Sequence, residues 1–107
     1  MNDRPLSASG LDEAALGLLR ETLAAAPMLR SAWLFGSRAK GTARSNSDID
    51  IAVEGLAQSL AVESLRDRLN ELPLPYAVEV QPLENIKNIE LREHISRCGV
   101  LLFNREA

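Results

Sequence analysis

The spacing of apolar residues alternates along the chain between a helical period and a strand period. Three segments carry apolar residues at steps of three to five positions, as on one buried helix face; they are residues 11–25, 58–71 and 88–97. Four short apolar or alternating runs are typical of strands, at residues 31–35, 48–53, 76–81 and 100–103. This order predicts an α/β fold of the α+β type, in which a small mixed β-sheet has helices packed on one face.

Length and composition indicate one domain that spans residues 1–107. Hydrophobic residues make up 46% of the 107 residues, which is enough for one core but leaves little room for a second lobe. We expect the polar residues 1–10 to be flexible. The sequence has no apolar run near the roughly 20 residues that a membrane-spanning helix needs, and Cys98 has no second cysteine to pair with. A cytoplasmic location is therefore expected.

One stretch between the first two predicted strands concentrates the polar chemistry of the chain. Gly36 and Ser37 follow the first strand, and a basic, polar loop connects them to the second. Glycine lets the backbone approach a phosphate closely, and amides at the start of a helix point toward a bound phosphate. Three basic side chains of the loop can reach the β- and γ-phosphates of a nucleotide, namely Arg38, Lys40 and Arg44.

Carboxylates begin the second strand and recur in the third. Asp48 and Asp50 point to one face, because alternate strand residues share a face. Their like charges repel, and a divalent cation such as Mg²⁺ offsets the repulsion while it binds substrate phosphates. Glu79 would complete a three-carboxylate site for two Mg²⁺ ions, and Glu84, beyond Pro82, is the alternative third ligand. Taken alone, an Asp-x-Asp pair is more often a solvated strand edge than a metal site.

The combined spacing is more specific than its parts. Gly36-Ser37, ten residues and then Asp48-x-Asp50 resemble the signature of the DNA polymerase β-like nucleotidyltransferase superfamily. The sequence around both pairs is similar to the minimal nucleotidyltransferase (MNT) branch, and the resemblance covers nearly the whole chain. It implies a nucleotidyltransferase fold, triphosphate binding by the first pair and Mg²⁺ ligation by the second. It also places Glu79 where the family usually has an aspartate.

The resemblance further implies a protein partner. Small members of the MNT branch are typically antitoxins of a helical HEPN-domain ribonuclease, so the implied reaction transfers AMP from ATP to a tyrosine hydroxyl of that toxin. The net charge of −3 gives no reason to expect direct binding of nucleic acid. The apolar helix faces leave a homodimer or a hetero-oligomer open.

Two alternatives remain open from the sequence. The chain could be a non-catalytic, NTP-binding antitoxin that neutralises its partner by contact, which the glutamate at position 79 favours. It could also transfer the nucleotide to a small hydroxyl compound such as an aminoglycoside, although the absence of a second lobe argues against that acceptor. The sequence assigns no residue to base recognition and so leaves the identity of the nucleotide open.

Overall fold

Four strands form one mixed sheet in the computed structural model, which describes residues 10–36, 38 and 48–105. The elements with described ends follow in chain order: α1 (Glu13–Ala24), β1 (Ser31–Phe35), β2 (Ile49–Glu54), α2 (Ser59–Asn70), β3 (Val78–Pro82), a 3₁₀ turn (Leu83–Asn85), α3 (Ile89–Cys98) and β4 (Val100–Asn104). The predicted α/β fold class is confirmed, and each predicted element is found within about three residues of its expected bounds. Within the described ranges, no helix is long and apolar enough to cross a membrane.

The strand order is β3-β2-β1-β4, and the pairing sets the position of the acidic residues. Strand β1 runs antiparallel to both β2 and β4, whereas β2 and β3 are parallel. Phe35 therefore lies opposite Asp50, and Asp50 lies opposite Glu79. The register brings the end of β1 and the beginnings of β2 and β3 to one edge of the sheet.

Helices α1 and α2 cover one face of the sheet and bury the main core. The buried side chains on this face come from every second strand position, as the alternation predicts. The fully enclosed members include Leu19, Leu23, Leu34, Ile49, Ile51 and Leu69. Because Ile49 and Ile51 point into this core, Asp50 between them points to the opposite face of the sheet.

Helix α3 lies on the opposite face, where the sequence pattern did not place a helix. Ile95 of α3 packs with Phe35 of β1, Ala52 of β2 and Ile86 in a second, smaller cluster. Asp48 and Asp50 predicted that this face of the sheet would be polar. Phe35 and Ala52 lie on the same face, however, and make part of it apolar. The prediction of helices on one face is correct for α1 and α2, and α3 departs from it because this apolar half needs its own cover.

Local hydrogen bonds explain where two of the helices begin. Oδ1 of Asp12 accepts from the backbone N–H of Ala15 at 2.8 Å, and Oδ1 of Asn88 accepts from that of Leu91 at 3.1 Å. Both bonds satisfy amides that have no partner within their own helix, which is the usual role of an N-cap. Asn88 thereby sets the first turn of α3 and the direction in which its later residues point.

Gly99, between α3 and β4, is the glycine whose replacement tests the fold most clearly. A Cβ at this position would overlap the carbonyl oxygen of Ile95, so we expect Gly99→Ala to lower the free energy of unfolding by roughly 1–3 kcal/mol. Gly17→Ala is the matched control, since no atom lies within 4 Å of its added Cβ. Because Gly17 lies in the middle of α1, Gly17→Ala should raise the free energy of unfolding by about 0.5–1 kcal/mol. Urea unfolding measures both, and a Gly99→Ala variant as stable as the parent would contradict the packing described here.

Candidate active site

Three acidic residues lie at the end of the sheet where β2 and β3 begin, which is the carboxylate edge of the site. Asp48 immediately precedes β2, Asp50 is the second residue of β2, and Glu79 is the second residue of β3. The parallel register pairs Asp50 with Glu79 on adjacent strands, which ordinarily lie about 4.8 Å apart. The structure therefore places the three acidic residues that the sequence pattern selected at the same end of the sheet.

Asp50 has the most perturbed environment of the three. Burial of its carboxyl raises its pKa above the ordinary value of 3.8, and the negative charges of Asp48 and then Glu79 raise it further. Each of these causes disfavours the ionised form. A nearby cation would offset these unfavourable effects on the ionised Asp50 carboxylate.

Glu79 has a positive neighbour that the sequence did not reveal. Its Oε1 lies 3.4 Å from Nη1 of Arg66 on α2, and both side chains are partly exposed. A helix residue of this kind is usually part of a solvated face, so no pattern in the sequence linked Arg66 to the carboxylates. An exposed ion pair of this length contributes little, about 0–1 kcal/mol, and can open easily.

The carboxylate oxygens form a donor set of the kind that Mg²⁺ prefers. Among the described residues, however, no three His, Cys, Asp or Glu side chains converge closely enough to hold a metal ion. Asp48 and Asp50 fit the role of metal ligands by chemistry and by position, whereas Glu79 would first have to leave Arg66. Glu84, the alternative third ligand, accepts from the N–H of Gly55 at 2.8 Å and so lies beyond the far end of β2.

The backbone turn at Gly36, which follows β1, lies directly against Asp50. Gly36 has a φ of +73°, in the left-handed region that favours glycine. A Cβ at Gly36 would lie only 2.7 Å from Oδ2 of Asp50. The left-handed φ therefore favours glycine at residue 36, and any side chain there would displace the Asp50 carboxylate. The Gly36 turn and the carboxylate edge form one continuous site.

His94 on α3 also contacts the Gly36 turn. The N–H of Gly36 donates a hydrogen bond to Nε2 of His94 at 3.2 Å, across 58 positions of sequence. The sequence offered no signal for this contact, since a lone histidine on an amphipathic helix is compatible with many environments. His94 is the residue near the candidate site that sequence reasoning missed most completely.

Arg38 occupies a different environment from the one its sequence position suggested. Only 2% of the residue is exposed, and Cζ of its guanidinium lies 4.5 Å from the centroid of the Tyr76 ring. The contact is a cation–π interaction that packs Arg38 inside the domain. A phosphate contact by Arg38 stays a prediction. Ser37, Lys40 and Arg44, the other predicted nucleotide-binding residues besides Gly36, lie outside the described residues.

Comparison with known proteins gives information on the family and the fold of the chain that is independent of this geometry. The family model described as polymerase beta, nucleotidyltransferase matches residues 18–107. A probable protein adenylyltransferase MntA from Haemophilus influenzae is 33% identical over 76 residues. That match covers 69% of this chain and 66% of the relative, just under two thirds of its length.

Solved structures show the same architecture. The crystal structure of a toxin-antitoxin with AMP-PNP aligns with a TM-score of 0.67 and 29% identity, over 90% of this chain and 76% of that chain. A structure of a tri-AMPylated Shewanella oneidensis HEPN toxin in complex with MNT antitoxin aligns with a TM-score of 0.66 and 20% identity, over 89% and 74%. At that lower identity, the second likeness concerns the fold alone.

The raised pKa of Asp50 predicts a pH-dependent effect of Asp50→Asn on stability. Because folded Asp50 binds its proton more tightly than unfolded Asp50, the native chain gains stability as the pH falls from the raised pKa toward 3.8. The amide of the variant does not titrate. We therefore expect Asp50→Asn to be more stable than the native chain at neutral pH, with a difference that shrinks as the pH falls.

Urea unfolding across this pH range measures the effect of Asp50→Asn. Asp67→Asn on the exposed surface of α2 is the control, and its stability relative to the native chain should change much less with pH. A variant at position 50 that is less stable than the native chain at neutral pH would contradict the proposed repulsion.

Proposed function

The chain belongs to the polymerase β nucleotidyltransferase family, and from this premise we propose that it is a Mg²⁺-dependent adenylyltransferase. It transfers AMP from ATP to a tyrosine hydroxyl of a partner HEPN-type toxin and so acts as an antitoxin. The observation that carries the proposal is the carboxylate edge of Asp48, Asp50 and Glu79, which lies against the Gly36 turn. The nucleotide site and the metal site of such an enzyme must be adjacent in this way.

Each group has a role in the proposed reaction. Asp48 and Asp50 would hold Mg²⁺, which when bound neutralises charge on the phosphates and on the leaving pyrophosphate. Ser37 would bind the triphosphate through its N–H and its hydroxyl, and Gly36, which has no side chain, would let the backbone approach the phosphates closely. The tyrosine oxygen attacks the α-phosphorus, the bond from that phosphorus to the bridging oxygen breaks, and pyrophosphate leaves. Glu79 would help to remove the proton of the attacking hydroxyl.

The ion pair between Glu79 and Arg66 must open before Glu79 takes part. The pair is partly exposed and 3.4 Å long, so its rupture costs about 1 kcal/mol or less. Once released from Arg66, the Glu79 carboxylate would be free to act together with Asp48 and Asp50 at the same end of the sheet. Arg66 would then be left near the site with its positive charge available for a phosphate oxygen.

The relatives support a protein as the acceptor. The Haemophilus influenzae relative is a probable protein adenylyltransferase, and the structural neighbour at 29% identity is a toxin-antitoxin with AMP-PNP. We propose the same class of substrate and partner for this chain. A cytoplasmic location would suit an enzyme that uses ATP and meets such a toxin.

We expect the double variant Asp48→Asn with Asp50→Asn to lose at least about a hundredfold in the rate of AMP transfer, because both proposed metal ligands are removed. Mass spectrometry of a co-expressed toxin measures the transfer as an added AMP group. Glu21→Gln with Asp67→Asn removes the same charge from exposed helix positions and should leave transfer unchanged. Undiminished labelling by a folded double variant would refute the assignment of the two aspartates.

The same variant separates the enzyme from the non-catalytic alternative. That alternative is favoured by the contact with Arg66, because a carboxylate that is already paired with a cation is less available to a metal ion. If neutralisation depends on chemistry, the Asp48/Asp50 double variant binds the toxin but no longer protects growing cells. Protection by a variant that cannot label the toxin would instead support neutralisation by contact.

A further inference from the structure

Two side chains from different elements fix the Gly36 turn. Oδ2 of Asp50, on β2, occupies the space next to the glycine Cα. Nε2 of His94, on α3, accepts the hydrogen bond of the glycine N–H. Only the first of these residues has a part in the proposed reaction, so the contact of His94 needs its own explanation.

The position of His94 is set by the packing of its neighbours. Ile95, the next residue, is 1% exposed and packs in the same cluster as Phe35, the residue before Gly36. Leu91, one turn earlier on α3, packs against this cluster as well. Because both partners of the hydrogen bond adjoin buried residues of one cluster, the imidazole and the turn have little freedom to move apart.

The Gly36 turn has a particular need for an external anchor. Glycine has access to both the left-handed and the right-handed regions, so its own backbone does not select the φ of +73° found here. The Asp50 carboxylate lies where a side chain of residue 36 would be, whereas the hydrogen bond of the Gly36 N–H goes to His94. A fixed acceptor for the Gly36 N–H is what restricts the peptide plane to one orientation.

We propose that His94 is a positioning residue of the nucleotide site, which holds the Gly36 turn in the conformation that receives the triphosphate. This inference rests on the proposed function. Nε2 accepts only when it carries no proton, so the ring must hold its proton on Nδ1. Without the acceptor, the turn would populate other conformations for part of the time. The apparent affinity for the nucleotide would then fall in proportion to the remaining population of the binding conformation.

The test compares two substitutions of His94, of which one keeps a hydrogen-bond acceptor and the other removes it. His94→Gln places an amide oxygen at about the reach of Nε2, whereas His94→Leu fills similar space without an acceptor. Calorimetric titration with Mg²⁺ and AMP-PNP should show roughly fivefold weaker binding for His94→Leu and near-native binding for His94→Gln. The neighbouring exposed change Glu93→Gln is the control and should bind as the native chain does.

A second readout separates positioning from a general loss of structure. Since His94 does not touch the reacting atoms, the rate of AMP transfer at saturating ATP should stay near the native rate in His94→Leu, while KM for ATP rises. A thermal melt checks that each variant folds. If His94→Leu does not fold, His94→Ala provides the same comparison with less disturbance of α3.

The possible outcomes are distinguishable. Native binding by His94→Leu, or equal loss in His94→Leu and His94→Gln, would overturn the role of the hydrogen bond while the proposed function stands. Failure of the native chain itself to bind Mg²⁺ and AMP-PNP would refute the proposed function and this inference with it. Weakened binding in His94→Leu that His94→Gln restores is the result that the geometry predicts.

Discussion

Repulsion between like charges at one edge of the sheet is the constraint around which the site is arranged. Asp50 is partly buried beside Asp48 and Glu79, and both the burial and the two charges raise its pKa. A domain of this size has a small margin of stability, so an unfavourable cluster of this kind is expected mainly where function requires it. The turn at Gly36, which has no side chain to fill the space beside Asp50, belongs to the same arrangement.

The sheet supplies the rigidity that such a cluster requires. The parallel pairing of β2 and β3 sets Asp50 beside Glu79, and the antiparallel pairing with β1 sets Phe35 beside Asp50. Helices α1 and α2 hold one face of these strands, and α3 closes the apolar half of the other. The part of this face that α3 does not cover carries the carboxylates. The same face of the sheet therefore holds an apolar cluster under α3 and, nearer the beginnings of β2 and β3, the acidic residues.

Much of this arrangement follows from local patterns in the sequence. Alternation along β2 predicts that Asp48 and Asp50 share a face, and alternation along β3 adds Glu79 to it. The contacts of Arg66 and His94 could not be predicted in the same way, because helical periodicity identifies a buried face but not the element that the face meets. Helix α3 covers the face of the sheet that carries Phe35 and Ala52. The sequence did not predict this, because Asp48 and Asp50 made the same face look polar. Arg38 shows a related limit, since a basic residue after a glycine turn suggests a ligand contact, yet here it packs against Tyr76.

We propose that a bound cation relieves the repulsion around Asp50. Carbon-13 NMR can follow the titration of the Asp50 carboxyl carbon, first without and then with Mg²⁺ and AMP-PNP. We expect the pKa of Asp50 to lie above 3.8 in the free chain and to fall clearly once the cation and nucleotide are present. A titration of Asp50 that is the same in both conditions, under concentrations at which the nucleotide is bound, would contradict it.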